Sequence, residues 1–398
     1  MSLQKKGQEI ATFLLILRIN VMWKFPHYEI GQPIPWDLLE QDFEWFRDMK
    51  GVKQDAIWHA EGDVFIHTKM VAEALVSHSD FQEYSEQDKH ILFATAMLHD
   101  VEKRSTTLEE EIDGVMRITS RAHAKRGEKT ARLILYRDIP TPFWIREHIC
   151  KLVRHHGLPI WAIEKENPQL DVVAASVKLD TKMLALFAKA DILGRIADDA
   201  DEMMVRVELF EELCKENECY GVPRFFSTNM AQRHYFQKRG ESFIDYEPFE
   251  TQGKFTAYLM CALPGSGKDT YIQNWMPNTP VVSLDDIRRK NKVKRGDTKG
   301  EGHAIQEAKE LAKTYMRAGQ DFIWNATNIT NEMRSKLISD FEDYGGLVEI
   351  IYIEVPYKEL IQQNHSREHK VPEKALSRLI SGLEVPDVTE SHSLTVFL

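Results

Sequence analysis

The sequence predicts a multi-domain protein in which an all-α half precedes an α/β half built on a parallel sheet. The length of 398 residues exceeds what one ordinary hydrophobic core supports and favours two domains. From about Trp36 to Phe210 the apolar residues recur with the helical period. After Phe255, short apolar strands alternate with amphipathic helices, which is the pattern of a parallel sheet with flanking helices.

Changes in composition divide the chain into four segments. They are an N-terminal extension (1–22), an all-α domain (23–220), a connector (221–253) and an α/β domain (254–398). The connector contains too many aromatic residues for a free linker, so it should pack on one or both domains. The extension is expected to be a helix or a stray addition. A signal peptide is the alternative, but no small-residue cleavage site follows the apolar stretch Ile10 to Leu17.

The composition is that of a folded, water-soluble protein, with 43% hydrophobic and 28% charged residues. A net charge of -11 argues against a generally basic nucleic-acid binder, although a local basic channel is compatible with it. The four cysteines form no Cys-x-x-Cys pair, which fits a reducing compartment and predicts a cytoplasmic protein. No apolar run reaches the roughly 20 residues that span a bilayer, so we expect no membrane partner.

The elements follow in order from the spacing of apolar residues. Helices are predicted over Thr68–Val76, Lys89–Leu98, Ala122–Tyr136, Trp144–Val153 and Thr181–Ile196. Strands are predicted over Phe255–Cys261, Pro280–Leu284, Phe322–Trp324 and Val348–Val355, separated by helices over Thr270–Met276, Gly302–Ala318 and Asn331–Tyr344. Glycines and prolines such as Gly114, Pro140 and Gly157 mark the loops of the first half.

A series of histidines and aspartates runs through the predicted helices of the first half. It comprises His67, His99, Asp100, His123, His155, His156 and Asp191, with Lys103 one helical turn after His99. Imidazoles and carboxylates from separate helices suit a site for two metal ions. Asp100 would bridge the metals and position a hydroxide for in-line attack on phosphorus. A single histidine on an apolar helix is usually a core residue, but six ligand-type positions in this order, with His155 and His156 counted as one, argue against that explanation.

A glycine-rich loop lies between the first predicted strand and helix of the second half. It reads Pro264, Gly265, Ser266, Gly267, Lys268, Asp269, Thr270. The glycines let backbone N–H groups turn towards phosphate oxygens at a helix N-terminus, and Lys268 can neutralise the β and γ phosphates. The loop departs from the common pattern because Ala262 replaces the first glycine and Asp269 replaces the hydroxyl residue that reaches Mg²⁺. Asp269 and Thr270 are both candidates for that contact.

Two carboxylates follow the second predicted strand, where a side chain would face the γ phosphate. Asp285 is our choice of general base for an attacking hydroxyl. The structural alternative is capping of the next helix, a role that Asp286 could take instead. A basic run continues from Arg288 to Arg295, and it is either a solvated loop or a contact for nucleic-acid phosphates.

The order of ligands in the first half resembles the HD phosphohydrolase superfamily, in which His-Asp-x-x-Lys is a frequent form. The resemblance implies that the first metal is held by His67, His99, Asp100 and Asp191 and the second by Asp100, His123 and either His155 or His156. It also implies that Lys103 binds the phosphate or the hydroxide. His59 is close enough to His67 in sequence to reach the substrate or to support the ligands.

The segment after the phosphate loop resembles the polynucleotide 5′-kinase family. The resemblance implies that Asp285 is the general base and that Arg288 clamps the phosphate of the acceptor. The stretch Asn364 to Lys370 is similar to the lid of this kinase class, which implies that Arg367 contacts the donor phosphates.

From about Trp23 onward the chain resembles the bacterial HD-Pnk family of two-domain RNA end-healing enzymes. The resemblance implies that the first domain opens 2′,3′-cyclic phosphates and removes the phosphate, and that the second phosphorylates a 5′-hydroxyl. The implied cofactors are an NTP (ATP or GTP) with Mg²⁺ in the kinase and two divalent transition metals, such as Mn²⁺, in the HD site. The implied partners are RNA or DNA ends, the NTP donor and a separate ligase acting afterwards.

Two alternatives follow from the residues alone. One is a small-nucleotide phosphohydrolase fused to a metabolite kinase. The other is a non-catalytic NTP-binding nucleic-acid module, which the complete series of ligand-type residues argues against.

Overall fold

A computed structural model describes residues 22–248, 252–294, 296–367 and 370–398. The predicted N-terminal extension up to residue 21, Arg295 of the basic run and Glu368 and His369 of the predicted lid lie outside the described residues. Within the described ranges, no helix is both long and apolar enough to cross a membrane. Cys150, Cys214, Cys219 and Cys261 are buried as free thiols.

The first half is a bundle of α-helices around one core, as predicted. Its helices are α1 (Trp36–Asp42), α2 (Glu44–Arg47), α3 (Val64–Ser77), α4 (Ser79–Gln82), α5 (Glu86–Leu98), α6 (Lys103–Thr106), α7 (His123–Leu133), α8 (Phe143–His155), α9 (Leu158–Trp161), α10 (Pro168–Ser176), α11 (Thr181–Leu193) and α12 (Ala200–Glu216). A π-helical turn, Ile134–Asp138, follows α7, and a 3-10 turn, Ala162–Glu164, follows α9. Every residue of α5 from His90 to Leu98 is buried, so α5 is the central helix.

Side-chain caps set where the helices that carry the predicted ligands begin. The carboxylate of Asp63 accepts a hydrogen bond from the backbone N–H of Ile66 at the start of α3. The hydroxyl of Ser85 caps α5 in the same way, and the carboxylate of Asp180 caps α11. Such caps satisfy backbone donors that have no partner within the helix.

The prediction that this half is wholly helical is wrong between residues 108 and 119. There, β1 (Leu108–Ile112) and β2 (Val115–Thr119) form an antiparallel hairpin. Asp113 and Gly114 connect them with φ of 52° and 79°, the left-handed conformation that a two-residue hairpin turn requires. The hairpin is largely exposed and adds little to the core, so apolar periodicity did not reveal it. Gly114 therefore lies in a hairpin turn between two strands and not in a loop between helices.

The second half is an α/β domain with a parallel sheet, as predicted. Its strands are β3 (Thr256–Ala262), β4 (Val281–Ser283), β5 (Phe322–Asn325), β6 (Leu347–Ile353) and β7 (Ser393–Phe397). Its helices are α14 (Lys268–Trp275), α15 (Leu284–Lys290), α16 (Thr298–Ala318), α17 (Asn331–Asp343), α18 (Tyr357–Ser366) and α19 (Glu373–Ser381), and α13 (Asn229–Gln237) precedes them in the predicted connector. Among the described residues the strand order is β4-β5-β3-β6-β7.

The sheet order determines where the second site lies. β3 ends at the phosphate loop, its neighbour β5 ends at Asn325, and β4, on the far side of β5, ends at Ser283. The carboxyl ends of parallel strands meet at one edge of a sheet, which is where α/β folds bind ligands. The edge strand β7 was not predicted, because it is short, only partly buried and lies beyond the last predicted element.

The connector helix α13 contacts both halves. Tyr235 is buried in the helical core against Phe226. On the other side, the guanidinium of Arg233 forms two hydrogen bonds, of 2.7 and 2.8 Å, with the carboxylate of Glu342 at the end of α17. The connector is therefore packed on both halves.

A buried ionic network joins the two halves. Arg146 of α8 is 1% exposed and donates two hydrogen bonds, of 2.8 and 2.7 Å, to the carboxylate of Glu354 after β6. Its Nε donates to Glu147 at 2.8 Å. Arg132 at the end of α7 also donates to Glu147, and to the backbone carbonyl of Leu383 at 3.2 Å. The charged groups of the network are all buried, so the two halves are joined here by ionic contacts away from solvent.

Apolar contacts surround this network. Tyr136 and Phe143 belong to the helical half by sequence but are buried in the core of the α/β half. The hydroxyl of Tyr136 donates to the backbone carbonyl of Val355 at 2.6 Å, and Phe143 packs against Tyr352 with 5.7 Å between ring centroids. The two halves thus share a continuous hydrophobic contact.

We expect Arg146→Ala to lower the free energy of unfolding by about 3–5 kcal/mol, because it leaves the carboxylate of Glu354 buried without its cation, whereas Glu147 keeps Arg132. Denaturant unfolding measures the change. The control is Arg137→Ala, since Arg137 pairs with Asp138 at the surface and should contribute less than about 1 kcal/mol. Equal effects of the two substitutions would contradict the importance of the network.

Candidate active sites

The predicted metal ligands of the first half come together at the ends of the central helices. His67 lies on α3, His99 and Asp100 directly follow α5, His123 is the first residue of α7, His156 directly follows α8, and Asp191 lies on α11. Among the described residues, ligand atoms within 4.8 Å of one another form the groups His67-His99-Asp100 and Asp100-His123-His156. Asp100 belongs to both groups, which is the position expected of a bridging carboxylate.

Asp100 is the centre of this arrangement. Its Oδ2 lies 3.3 Å from His99 Nε2, 3.7 Å from His67 Nε2 and 2.7 Å from Lys103 Nζ, and its Oδ1 lies 3.4 Å from His123 Nε2. Neither buried oxygen accepts a hydrogen bond of good geometry. Burial opposes ionisation, but the charges of Lys103 and His99 hold the pKa of Asp100 well below its usual range. Buried carboxylate oxygens with unused acceptor capacity, facing imidazole nitrogens, suit divalent cations.

Asp191 lies beside His67, a member of the first group. The Nε2 of His67 lies 3.1 Å from Asp191 Oδ1. Burial lowers the pKa of His67, but the nearby carboxylates of Asp191 and Glu61 outweigh it and raise the pKa to about 9. A metal ion could be ligated here only after His67 releases this proton, so metal binding at this site should depend on pH.

The two consecutive histidines at the end of α8 have different surroundings. His156 is buried, with its Nε2 3.2 Å from His123 Nε2 and its Nδ1 2.8 Å from the carbonyl oxygen of Val153. His155 lines the same cavity but is absent from the ligand groups found among the described residues. Burial lowers the pKa of His155 to about 3. Consecutive helical residues point about 100° apart, so only one of the pair faces Asp100.

We expect His156→Ala to remove one of two bound metal equivalents and His155→Ala to keep both, because only His156 approaches Asp100 and His123. Elemental analysis of protein loaded with Mn²⁺ or Zn²⁺ and then desalted gives the stoichiometry. The reverse result would place His155 in the metal site.

Glu61 is a functional residue that sequence reasoning missed. Its Oε1 lies 2.9 Å from Nδ1 of both His59 and His67, and its Oε2 accepts from the backbone N–H of Ile196 at 2.9 Å. Hydrogen bonding on one ring nitrogen orients the other, so Glu61 orients Nε2 of His59, whereas its contact with His67 is an ion pair without good hydrogen-bond geometry. The available signal was its place two residues after His59. Burial lowers the pKa of His59 itself.

The ligands open onto a cavity of about 730 Å³. Lys103 lies in its wall and also donates to the side-chain oxygen of Gln54 at 2.8 Å. His59 lines the same cavity. The volume falls within the range of small-ligand sites, roughly 300–1,000 Å³. The cavity can therefore hold a phosphate ester against the metal ligands.

The phosphate loop of the second half has the backbone geometry that anion binding requires. Gly265 and Gly267 have φ of 94° and 92°, a conformation that glycine adopts without a steric penalty. The hydroxyl of Ser266 is turned inward and donates to the carbonyl of Leu263 at 2.7 Å. Pro264 precedes these residues in the turn, and Lys268 begins α14. The loop thus presents backbone N–H groups at a helix N-terminus.

The charged candidates of the second half surround Lys268. Burial lowers the pKa of the Lys268 ammonium, the negative charges of Asp269 and Asp285 act against that shift, and the positive charge of Arg367 adds to it. These four side chains are therefore close enough to interact. Asp269 and Thr270 both lie in the first turn of α14 with exposed side chains.

Residues of the neighbouring elements close in on the loop. The amide of Asn325 at the end of β5 donates to Asp269 Oδ1 at 2.8 Å. A side chain at Gly265 would lie 3.5 Å from the backbone nitrogen of Asn364, so α18 runs directly over the loop. Arg367 follows the end of α18. The side chain of Asn364 ties the chain on either side of Arg367 together through hydrogen bonds to Val371 of 2.8 and 3.1 Å.

Asp285 is free of the capping role that was its structural alternative. The cap of α15 is Ser283, whose hydroxyl accepts from the backbone N–H of Asp286 at 3.2 Å. The Asp285 side chain is 66% exposed and pairs with Arg288 at 2.8 Å, and Arg288 also reaches Glu301 at 3.0 Å. An exposed carboxylate beside a guanidinium is accessible to an incoming hydroxyl and its phosphate.

Part of the basic run is neutralised within the protein. Arg289 pairs with Asp286, and Lys290 pairs with Glu307 of α16 at 2.8 Å. These pairs are exposed and therefore weak, so nucleic-acid phosphates could replace their carboxylate partners.

Asp285 and Asp286 provide a matched test of the general base. We expect Asp285→Ala to slow phosphoryl transfer by about 10²- to 10⁴-fold and Asp286→Ala to slow it little. The two carboxylates are similarly exposed, at 66% and 68%, and each pairs with an arginine three residues later. Transfer of labelled γ-phosphate to an acceptor measures both rates, and a larger loss with Asp286→Ala would exchange their roles.

Comparisons with known protein families agree with both sites. Residues 64–203 match the model of the HD domain family, and residues 258–386 match the model of an AAA domain family. No curated protein matches the chain. The HD match includes both ligand groups and Asp191, and the AAA match includes the phosphate loop and Arg367. The chain therefore joins an α-helical HD domain to a P-loop, kinase-like α/β domain.

Proposed function

We propose that the protein heals broken nucleic-acid ends. In this proposal the HD domain opens a 2′,3′-cyclic phosphate and removes the resulting phosphate, and the second domain phosphorylates a 5′-hydroxyl with an NTP. The observation that carries the proposal is that an HD domain with clustered metal-type ligands and a P-loop, kinase-like domain lie on one chain. Strand ends that carry a 2′,3′-cyclic phosphate and a 5′-hydroxyl need both operations before a ligase that joins a 5′-phosphate to a 3′-hydroxyl can act on them.

The second domain has the features of a kinase for a hydroxyl acceptor. Asp285 would accept the proton of the attacking hydroxyl as its oxygen bonds to the γ phosphorus and the bond to the leaving nucleoside diphosphate breaks. Lys268 and Arg367 would hold the donor phosphates, and Arg288, beside Asp285, would hold the phosphate next to the acceptor. Bound Mg²⁺, with Asp269 or Thr270 nearby, would neutralise charge on the NTP. An acceptor clamp beside the base distinguishes this site from that of a simple NTPase.

The HD site has the features of a phosphoesterase. The groups around Asp100 fit two divalent metals, which would supply Lewis-acid activation of the phosphate when bound. Lys103, in the cavity wall 2.7 Å from Asp100 Oδ2, would neutralise a phosphate oxygen. His59, held by Glu61, would donate a further hydrogen bond to the substrate.

One substrate tests the proposal. A single-stranded RNA with a 5′-hydroxyl and a 2′,3′-cyclic phosphate is incubated with NTP, Mg²⁺ and Mn²⁺, and its ends are identified by mass spectrometry. We expect a 5′-phosphate and free 2′- and 3′-hydroxyls, which a separate ligase then joins. Matched DNA and mononucleosides are tested in parallel. Reaction of the mononucleosides alone would favour a small-nucleotide phosphohydrolase fused to a metabolite kinase.

A further inference from the structure

Two exposed tryptophans lie in the wall of the HD cavity. Trp58 is 45% exposed and Trp161 is 49% exposed, and both line the cavity that contains Asp100. Large aromatic side chains are usually mostly buried, and scattered exposed ones need no explanation. Here, however, two such rings share one cavity with Lys103 and the candidate metal ligand Asp100. This placement indicates contact with a flat ligand.

Trp161 is held in place. It ends α9, and Gly157, the residue after His156, lies against its ring, with the site of a Cβ only 3.6 Å from Trp161 Cδ1. The guanidinium of Arg206 lies 5.1 Å from the ring centroid and is itself paired with Glu202 at 2.9 Å. A ring that is already immobilised loses little conformational entropy when a ligand stacks on it.

The backbone around Trp58 is held by hydrogen bonds. It lies in a turn in which its backbone N–H donates to the carbonyl of Asp55 at 3.0 Å. The carboxylate of Asp55 accepts from the backbone N–H of Ile118 in the hairpin at 3.3 Å. The next residue, His59, is the imidazole oriented by Glu61. Each tryptophan is thus anchored close in sequence to a phosphate-site histidine.

Unused hydrogen-bond donors accompany the two rings. The side-chain amide nitrogen of Gln54 and the Nε of Arg195 are buried, have no hydrogen-bond partner among the described residues, and belong to side chains of the cavity wall. A buried donor without a partner costs roughly 1–3 kcal/mol. The Arg195 guanidinium is held by Asp199 at 2.9 Å, so it is oriented before a ligand arrives. These donors would pair with the oxygens of a ribose or a phosphate.

We infer that Trp161 and Trp58 stack the base of an unpaired 3′-terminal nucleotide, so that the HD site acts on single-stranded ends. The inference rests on the proposed function and specifies its substrate. Base stacking on aromatic rings tolerates every base, because each presents a π face. A cavity of about 730 Å³ admits a terminal nucleotide and excludes a duplex. The end must therefore be frayed or unpaired before its phosphate can be removed.

The test compares Trp161→Ala with Trp161→Phe and with Trp144→Ala. Trp144 is 60% exposed and lies outside the cavity, which makes Trp144→Ala the matched control. Binding is measured on metal-free protein by anisotropy of a single-stranded RNA with a 3′-phosphate, labelled at its 5′ end to block the kinase acceptor. Hydrolysis is measured with the same RNA, with that RNA recessed in a duplex, and with glycerol 2-phosphate.

We expect Trp161→Ala to raise the dissociation constant of the RNA by about 5- to 150-fold and to raise its KM more than it lowers kcat. Trp161→Phe should keep most of the affinity for RNA, and Trp144→Ala should bind RNA as tightly as the unsubstituted protein. Trp161→Ala should slow the hydrolysis of glycerol 2-phosphate much less than the hydrolysis of RNA. The recessed end should react far more slowly than the unpaired end.

If Trp161→Ala slowed the hydrolysis of RNA and of glycerol 2-phosphate equally, the inference would be wrong. It would also be wrong if recessed and unpaired ends reacted at equal rates. If the unsubstituted protein hydrolyses RNA ends and Trp161→Ala hydrolyses them equally well, the stacking inference is wrong and the proposed function stands. A parent protein that binds RNA through Trp161 but releases no phosphate would contradict the proposed function and support the stacking site.

Discussion

Asp100→Ala is expected to abolish phosphate removal and to leave 5′ phosphorylation intact. Asp100 is the only residue shared by both ligand groups at this site among the described residues, so its loss should release both metals. Loss of several kcal/mol of transition-state stabilisation corresponds to a fall on the order of 10³ or more in rate. Initial rates of phosphate release and of 5′ phosphorylation, measured on one preparation, test this result.

Asp171→Ala is the control for this substitution, because Asp171 lines the same cavity but lies outside the ligand groups. A second readout is thermal stability. Added Mn²⁺ should raise the Tm of the parent, since a ligand that binds the folded state stabilises it, and should not raise the Tm of the Asp100→Ala variant. Loss of kinase activity together with phosphate removal would show that the two sites depend on each other.

Lys268→Ala is expected to have the opposite selectivity. It removes the partly buried ammonium at the start of α14, and removing one preorganised charge or donor from a transition state commonly costs about 10²- to 10³-fold in rate. Phosphate removal by the HD domain should be unchanged. Transfer of labelled γ-phosphate measures the loss, and Lys336→Ala, which alters an exposed lysine paired with Glu332, is the control. Kinase activity that survives Lys268→Ala would argue against the phosphate-loop assignment.

The fold class could be predicted because both halves repeat a simple pattern over a long stretch. Helical periodicity and strand–helix alternation depend on residues near one another in sequence. The hairpin at residues 108–119 and the edge strand β7 have little buried apolar surface, so the same reasoning did not detect them. Asp113-Gly114 was the one local signal for the hairpin.

The sequence predicted which types of residue form the candidate sites and their order along the chain. It did not predict their positions relative to one another. The choice between His155 and His156 depends on the rotation at which α8 ends, and a shift of one residue would exchange them. Glu61 contacts His59 and His67, and the spacing of these residues in the sequence does not predict those contacts. The pairing of Arg146 with Glu354 joins positions 208 residues apart, and each of them alone resembles an ordinary charged residue.

The shared boundary between the halves has a consequence for dissecting the enzyme. Cutting the chain in the connector would strand the Arg146 guanidinium on one fragment and the Glu354 carboxylate on the other, and it would expose Tyr136 and Phe143. Each fragment would expose an apolar surface with an unpaired charged group at its centre. Aggregation or low activity of an isolated half would then be caused by the newly exposed surface and would say nothing about its catalytic site. Single substitutions in the full chain are therefore the better way to separate the two activities.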